Sequence, residues 1–179
     1  MPSSTNRDAR EIFFAYYITS RCWEFLSPYH HYPVDAPKHL DQAIEACSSA
    51  YLWHIIPTDS TLLMAREKYV SALRLTNKAI RSPENARKDT TLMTSLLLDL
   101  FEKITNSRPR SDILWRSHID GALALAKARG LERFMATSDL SMLMRVGTHC
   151  IMSCIASESP LPDTLHTCLL YTSPSPRDS

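Results

Sequence analysis

The sequence predicts an all-α fold, an array of about six antiparallel helices. Apolar residues recur at helical spacing along most of the chain, and the alternating pattern of a strand does not compete with them. Only 3 of the 179 residues are glycine, which disfavours an all-β fold with many tight turns. The polar segments between the periodic stretches are short, as is typical of helices that pack as antiparallel neighbours.

The first helix is predicted over residues 7–26. Its broad apolar side consists of Phe13, Tyr16, Tyr17, Ile18, Trp23 and Phe25. Ser27 and Pro28 end it, because the residue before a proline avoids the helical region. Residues 29–37 contain two further prolines and are predicted to be a loop.

Two helices are predicted next, over residues 38–56 and 60–81. The apolar side of the earlier helix consists of Leu40, Ile44, Cys47, Tyr51 and Ile55. Pro57 stops that helix, and Asp59 with Ser60 is predicted to cap the later one. The buried side of the later helix is predicted to consist of Leu63, Tyr69, Val70, Leu73, Ala79 and Ile80.

Three more helices are predicted over residues 89–105, 113–129 and 139–156. Before them comes a break at which Ser82 is a capping residue and Pro83 takes the first helical position. The helix over 89–105 carries a wide apolar stripe that is typical of a central helix, and this stripe consists of Leu92, Leu96, Leu97, Leu100, Phe101 and Ile104.

The charge balance excludes several classes of protein. Lysine and arginine number 20 against 19 acidic residues, a net charge of +1, which argues against a nucleic-acid binder held by phosphate contacts. The longest apolar runs fall far short of the ~20 residues that span a membrane, so we expect no membrane partner. The five cysteines have no disulfide-framework spacing, which indicates reduced thiols inside the cell.

The sequence also predicts that the chain is not an enzyme. It has no Gly-x-Ser-x-Gly setting for a nucleophile. Asp99, Glu102 and Asp120 stand singly on helices, and no two carboxylates form a recognisable acid and base pair. We therefore expect no catalytic residue.

Two clusters leave a metal site open as an alternative. Cys150 and Cys154 lie one helical turn apart beside His149, but a structural zinc site needs four ligands and only His166 is near. Cysteines among apolar residues favour core packing instead.

The loop histidines His30, His31 and His39 are the second cluster, and they have the chemistry to bind a metal or accept a proton. A surface or capping role is favoured for them. We therefore expect neither a metal nor another cofactor in this chain.

Trp115 and His118 share one side of a predicted helix, because they lie three positions apart. Trp115 is expected to be a buried anchor near the helix start. His118 is expected to be a hydrogen-bonded residue of the core or its rim. If the protein has a ligand pocket, we expect it among the third to fifth predicted helices, near these two residues.

Residues 168–178 read CLLYTSPSPRD and resemble the translation of a transposase-type sequencing adapter. Eleven consecutive residues in one reading frame make chance a poor explanation. We therefore expect residues 1–167 to be one helical domain, and residues 168–179 to be a disordered, adapter-derived tail. On this interpretation the chain is truncated near Thr167.

Several stretches, taken in order, resemble the fungal-specific transcription factor domain. They are residues 43–52 (AIEACSSAYL), 65–73 (AREKYVSAL), 89–102 (DTTLMTSLLLDLFE) and 115–122 (WRSHIDGA). In that family, a long helical region follows a zinc cluster of six cysteines. The physics of these motifs is packing, because small residues on helix faces let neighbouring helices come close.

The resemblance implies the regulatory part of a nuclear transcription factor, working through protein partners or a small effector. The six-cysteine cluster is absent here, so zinc and DNA contacts are expected only in a missing amino-terminal domain. The chain is then part of a larger helical domain. The alternative is a free-standing helical protein-interaction module without a DNA-binding part.

Overall fold

The fold comes from a computed structural model, which describes residues 4–18, 21–31, 35–105, 112–129, 137–156 and 160–161. Within these ranges the chain forms seven α-helices, one 3₁₀ helix and no strand, which confirms the all-α class. In chain order the elements are α1 (Ser4–Tyr16), the 3₁₀ helix (Arg21–Tyr29), α2 (Lys38–Ile55), α3 (Asp59–Ala79), α4 (Pro83–Ala86), α5 (Asp89–Thr105), α6 (Asp112–Arg129) and α7 (Thr137–Ala156). The tail over 168–179 lies outside the described residues.

The core forms around α2 and α5. Helix α2 packs against α1, α3 and α5, and α5 also contacts α3 and α6. Every residue from 91 to 101 of α5 is buried. This agrees with the prediction, made from its wide apolar stripe, that this helix is central. Two buried hydroxyls of this helix are satisfied locally, since Thr91 donates to the Asn85 carbonyl and Thr94 to the Thr90 carbonyl, each at 2.7 Å.

Helices α2 and α3 form a helical hairpin, because only residues 56–58 separate two helices that are in contact. Thr58 has the extended backbone of a capping residue, and its side chain accepts from the Thr61 amide at 3.2 Å. The prediction that Asp59 and Ser60 supply this cap was therefore wrong by one position. Ser82 does hold the capping position before α4, but its side chain makes no capping hydrogen bond.

The buried side of α3 matches the prediction only in part. Tyr69 and Leu73 are half-buried and pack against the core, as predicted. Ala65, Ala72 and Thr76 are its buried residues. Leu63 is 61% exposed, and Val70 is also exposed. The exposed Ile80 lies just beyond the end of α3. Two sides of this helix carry helical spacing, and the side with small residues faces inward because small side chains permit close helix packing.

The predicted helix over 7–26 is two elements in the structure. Helix α1 ends at Tyr16 and the 3₁₀ helix begins at Arg21. Side chains three positions apart are eclipsed in a 3₁₀ helix, so Trp23 and Leu26 lie on the same side, and both are fully buried. Burial of these residues favours the tighter helix over continuation of α1.

Helix α7 is the last described helix, and it contacts both α6 and the 3₁₀ helix. The end of the described chain therefore packs against its first part. The guanidinium carbon of Arg145 lies 4.2 Å from the ring centroid of Trp23, a cation–π contact. Within the described ranges, the helices lack the length and apolar character needed to cross a bilayer.

Candidate functional site

An open groove of about 780 Å³ lies where the end of the 3₁₀ helix, the start of α2 and the junction of α4 with α5 meet. We call it the α4–α5 groove. Its lining residues are Tyr29, Asp35, Pro37, Glu84, Arg87, Lys88, Asp89 and Thr90. Three carboxylates and two basic groups line it, so its charge is mixed rather than basic. Such a lining suits a polar ligand or a peptide segment better than a phosphate backbone.

The buried Arg129 of α6 forms an ion pair with Asp89, which lines the groove. The Oδ1 atom of Asp89 lies 2.8 Å from Nη2 of Arg129, whose side chain is buried. The carboxylate stands in the first turn of α5, where the helix dipole favours a negative charge. The pair connects the beginning of α5 to the end of α6.

Two titratable groups are neutral at pH 7 here: Tyr29, which lines the groove, and His39, which lies beside its lining residues Lys88 and Thr90. Burial raises the pKa of the Tyr29 phenol, and the charge of Asp89 raises it further. Burial lowers the pKa of His39 in the first turn of α2, and the nearby charge of Lys88 lowers it further. A neutral phenol can donate and accept hydrogen bonds, so Tyr29 offers polar recognition without adding charge. His39 is half-buried rather than on the surface.

The pocket predicted near Trp115 and His118 concerns the first half of α6. Both residues belong to that helix, but their side chains lie outside the described residues. In the second half of α6, Ala122, Leu123 and Ala126 are buried in the core, as predicted. The pocket at Trp115 and His118 therefore stays a prediction.

A second polar centre lies between α5 and α7, at Asp99 and His149. Nδ1 of His149 lies 2.5 Å from Oδ2 of Asp99, and Nζ of Lys103 lies 2.7 Å from the same oxygen. At that distance the two atoms form a close polar contact, but the ring nitrogen does not meet the carboxylate in hydrogen-bond geometry. Asp99 and His149 are both buried, whereas the Lys103 ammonium reaches solvent.

The two buried groups have shifted pKa values. Burial alone would raise the pKa of Asp99, but the contacts with His149 and Lys103 together hold it below the ordinary value of an aspartate. Burial lowers the pKa of His149, although Asp99 acts in the opposite direction. At pH 7 the arrangement is therefore a neutral imidazole beside a carboxylate anion.

The polar centre at Asp99 and His149 connects α5 to α7. The His149 ring meets the edge of the Trp23 ring at a centroid distance of 6.1 Å, which adds the 3₁₀ helix to α5 and α7. From the sequence, Asp99 was expected to stand alone on its helix, and His149 was grouped only with the cysteines. A carboxylate inside the apolar run of residues 96–101 was the available signal, since a buried charge requires a partner.

The described cysteines belong to packed helices. Cys47 and Cys150 are fully buried in the core, as predicted for Cys150, and Cys154 is half-buried. Sγ of Cys47 donates to the Leu97 carbonyl at 3.2 Å, and burial raises the pKa of this thiol. His166, the remaining candidate ligand for a zinc site with Cys150 and Cys154, lies outside the described residues.

A zinc cluster of the kind the resemblance implies does not fit these residues. Such a cluster needs several thiolates grouped around the metal, and a thiolate is what binds. The Cys47 thiol is held protonated by burial and is occupied by a carbonyl. We therefore derive no zinc chemistry from the described cysteines.

The described residues form an all-helical scaffold with an open, charge-balanced groove and with buried polar pairs between its helices. Residues 5–179 match the family model of the fungal specific transcription factor domain, and the chain belongs to that family. It is a family of transcription factor domains, not of enzymes, and this membership supports a role in transcription regulation.

One relative extends the comparison. The chain is 28% identical over 139 residues to "Uncharacterized protein AN5342" of Emericella nidulans. The aligned segment covers 72% of this chain and 29% of that relative, so the chain spans less than a third of the relative's length. No solved structure matches the chain.

Proposed function

We propose that this chain is the regulatory, non-DNA-binding part of a nuclear fungal transcription factor, and that it acts by contact with a small effector or a protein. Membership of the family supports the transcriptional role. The observation that carries the mode of action is the mixed charge of the α4–α5 groove, three carboxylates beside two basic groups. A surface that binds DNA phosphates is dominated by lysine and arginine.

The groove has a physical route to the rest of the fold. A ligand with a cationic group would compete with Arg129 for the Asp89 carboxylate. Weakening that pair would loosen the start of α5 from the end of α6, so occupancy of the groove would alter helix packing. A ligand changes such an equilibrium only as far as it binds the two arrangements differently.

The test is a tethered reporter assay in a fungal cell. The full 179-residue chain is fused to an unrelated DNA-binding domain, and reporter output is compared with that of the tether alone. We expect the chain to change the output, and Arg87→Glu/Lys88→Glu in the groove to return it toward the tether level. Both side chains are exposed, so the fold should tolerate the change.

A matched control separates the groove from net charge. Arg66→Glu/Arg74→Glu makes the same charge change on the exposed side of α3, in a separate groove of about 510 Å³. We expect this variant to keep the wild-type output. Equal effects of the two double variants would contradict the groove as the site, and sequence-selective DNA binding by the purified chain would contradict the non-DNA-binding role.

The predicted pocket on α6 competes with the groove as the effector site. Trp115→Ala should leave reporter output unchanged if the α4–α5 groove receives the effector. A loss with Trp115→Ala, together with no effect of the groove variant, would place the effector near Trp115 and His118.

The second candidate function is a free-standing helical interaction module. A long read of the native transcript separates it from the first. An upstream six-cysteine cluster with helical coding beyond Thr167 supports the transcription factor, whereas a start at Met1 with a stop near His166 supports the module. A native transcript that encodes residues 168–178 would refute their adapter origin.

A further inference from the structure

We propose that Glu11, His30 and His31 form a binding site for one first-row transition cation, for which Zn²⁺ is the probe. One ligand atom from each of the three side chains lies within 4.8 Å of the other two. Glu11 comes from α1, and the two histidines follow directly after the 3₁₀ helix. Two imidazoles and one carboxylate are a ligand set that suits zinc. The proposal is independent of the proposed function.

The spacing of the ligand atoms fits a metal ion. Nε2 of His30 lies 2.9 Å from Oε2 of Glu11, and Nδ1 of His31 lies 3.9 Å from Oε1. Ligand atoms about 2.1 Å from a tetrahedral zinc ion stand roughly 3.4 Å from each other. The observed separations bracket that value, so small side-chain rotations bring the atoms into place.

The contact between Glu11 and His30 requires something positive between its two atoms. A ring nitrogen and a carboxylate oxygen at 2.9 Å share either a proton or a cation. Nε2 of His30 is buried, yet the two atoms do not meet in hydrogen-bond geometry. A cation placed to the side of the line joining them satisfies both lone pairs.

Ring stacking fixes the orientation of His30. Its ring stacks on Phe14 at a centroid distance of 4.6 Å and an interplanar angle of 17°. The His31 ring stacks on the His30 ring at a centroid distance of 4.2 Å. Phe14 is buried, so the stack is anchored in the core, whereas the His31 side chain is 81% exposed and can turn to admit an ion. One rigid and one adjustable imidazole suit uptake of a metal from solution.

The backbone that carries the two histidines is held by Arg10. Its Nε donates to the His30 carbonyl at 3.0 Å, and Nη2 donates to the Tyr29 carbonyl at 2.5 Å. Arg10 is itself buried and paired with Glu45 and Asp41 on α2. Groups that orient the ligands of a metal raise its affinity, because less order has to be created on binding.

The site would join α1 to the end of the 3₁₀ helix. Three protein ligands leave one position of a tetrahedral ion for water, as in zinc sites that remain open to exchange. Sequence analysis favoured a surface role for His30 and His31 because it considered them without Glu11, which lies 19 positions before His30 in the chain.

The experiment is calorimetric titration of the purified, metal-free chain with ZnCl₂, followed by thermal unfolding with and without the ion. We expect one saturable ion per chain and a rise in the unfolding temperature, because an ion that binds only the folded state stabilises it. His31→Ala and Glu11→Gln should each weaken binding by at least the roughly tenfold that loss of a supporting group costs. They should also abolish the rise in unfolding temperature.

His54→Ala is the matched control. His54 is also exposed, and it lies near the carboxyl end of α2. Asp41, which pairs with Arg10 beside the proposed site, is 13 residues and roughly 20 Å away along the same helix. We expect this variant to bind zinc like the wild type. Absence of zinc binding by the wild-type chain, or equal weakening in His54→Ala and His31→Ala, would overturn the site. Because His31 is exposed, its replacement keeps the test valid even if Glu11→Gln alters folding.

Discussion

Two buried charge clusters hold this fold together, and they satisfy their charges in opposite ways. In the Arg10 cluster, a fully buried cation from α1 meets Glu45 at 2.9 Å and Asp41 at 3.0 Å. In the Asp99 cluster, a buried anion on α5 meets His149 and Lys103. The Arg10 cluster joins α1, α2 and the end of the 3₁₀ helix, and the Asp99 cluster joins α5 to α7.

The difference lies in which cluster depends on a titrating proton. Arginine keeps its charge at every pH at which a protein is folded, and two carbonyls complete the contacts of Arg10. The buried partner of Asp99 is a histidine whose pKa is lowered by burial, so it takes up a proton at a lower pH than a free imidazole does. The Arg10 cluster therefore acts as a fixed joint, whereas the strength of the Asp99 cluster varies with pH.

Arg10→Met should have the largest effect on stability. It leaves the buried Glu45 carboxylate without its cation, and loss of one partner of a buried ion pair costs about 3–5 kcal/mol. Urea denaturation measures the free energy of unfolding. Arg7→Met, at an exposed position of the same helix, is the control and should change it little. Equal losses in the two variants would mean that the buried pairing does not stabilise the fold.

Asp99→Asn should have a smaller effect. Asparagine keeps the size of the side chain and can still accept from His149 or Lys103, but its hydrogen bonds are no longer charge-assisted. We expect a loss of about 1–3 kcal/mol in the free energy of unfolding. Asp120→Asn, at an exposed position of α6, serves as the control. A loss larger than that of Arg10→Met would reverse the ranking of the two clusters.

The pH dependence of stability should come partly from the Asp99 cluster. The folded-state pKa of His149 lies below its ordinary value, so the unfolded chain takes up the proton first as the pH falls. The free energy of unfolding should therefore fall as the pH drops through about 6.5, with a slope of at most about 1.4 kcal/mol per pH unit from this group.

His149→Asn keeps a donor for Asp99 and should reduce that slope, measured by urea denaturation between pH 8 and pH 5. His39, whose pKa is also lowered, leaves a residual slope in the variant. At lower pH the ionised form of Asp99 no longer contributes, because stability from a carboxylate with a lowered pKa is lost as the pH falls through that pKa. An unchanged slope in His149→Asn would remove the titration from this cluster.

Glu84→Gln should have the smallest effect. Glu84 and Lys88 form an exposed pair at 3.7 Å, one helical turn apart, next to the groove. Exposed pairs of this kind contribute less than about 0.5 kcal/mol because water and salt screen them. Unfolding measured at low and at high salt should give nearly the same difference from the wild type. A loss comparable with that of Asp99→Asn would mean that burial does not decide the ranking.

The sequence predicts those parts of the fold that depend on spacing along one helix. Leu40, Ile44 and Cys47 were assigned to one buried side of α2 and are fully buried, whereas Ile55, assigned to the same side, is exposed. On α3 the prediction held for Tyr69 and Leu73, which pack against the core, and failed for Leu63 and Val70. Small residues and large apolar residues both recur there at helical spacing. Only the packing of a neighbouring helix decides which of two such sides faces inward.

The polar clusters were beyond prediction because their members are distant in the chain. Arg10 and Glu45 lie 35 positions apart, and nothing in either local stretch indicates the other. A buried charge signals that a partner exists but not which residue it is. The groove combines residues of three separate segments and was missed for the same reason.

Burial of Trp23 has a consequence for synthesis on the ribosome. The indole is 1% exposed, and residues of α7 help to cover it, among them Arg145, which is made 122 residues later. At about 5–20 residues per second, the ribosome needs roughly 6–24 s to reach that cover. During this interval the apolar ring of Trp23 is accessible to chaperones and to neighbouring nascent chains. Synthesis of α7 therefore determines how long the first part of the protein needs protection from aggregation.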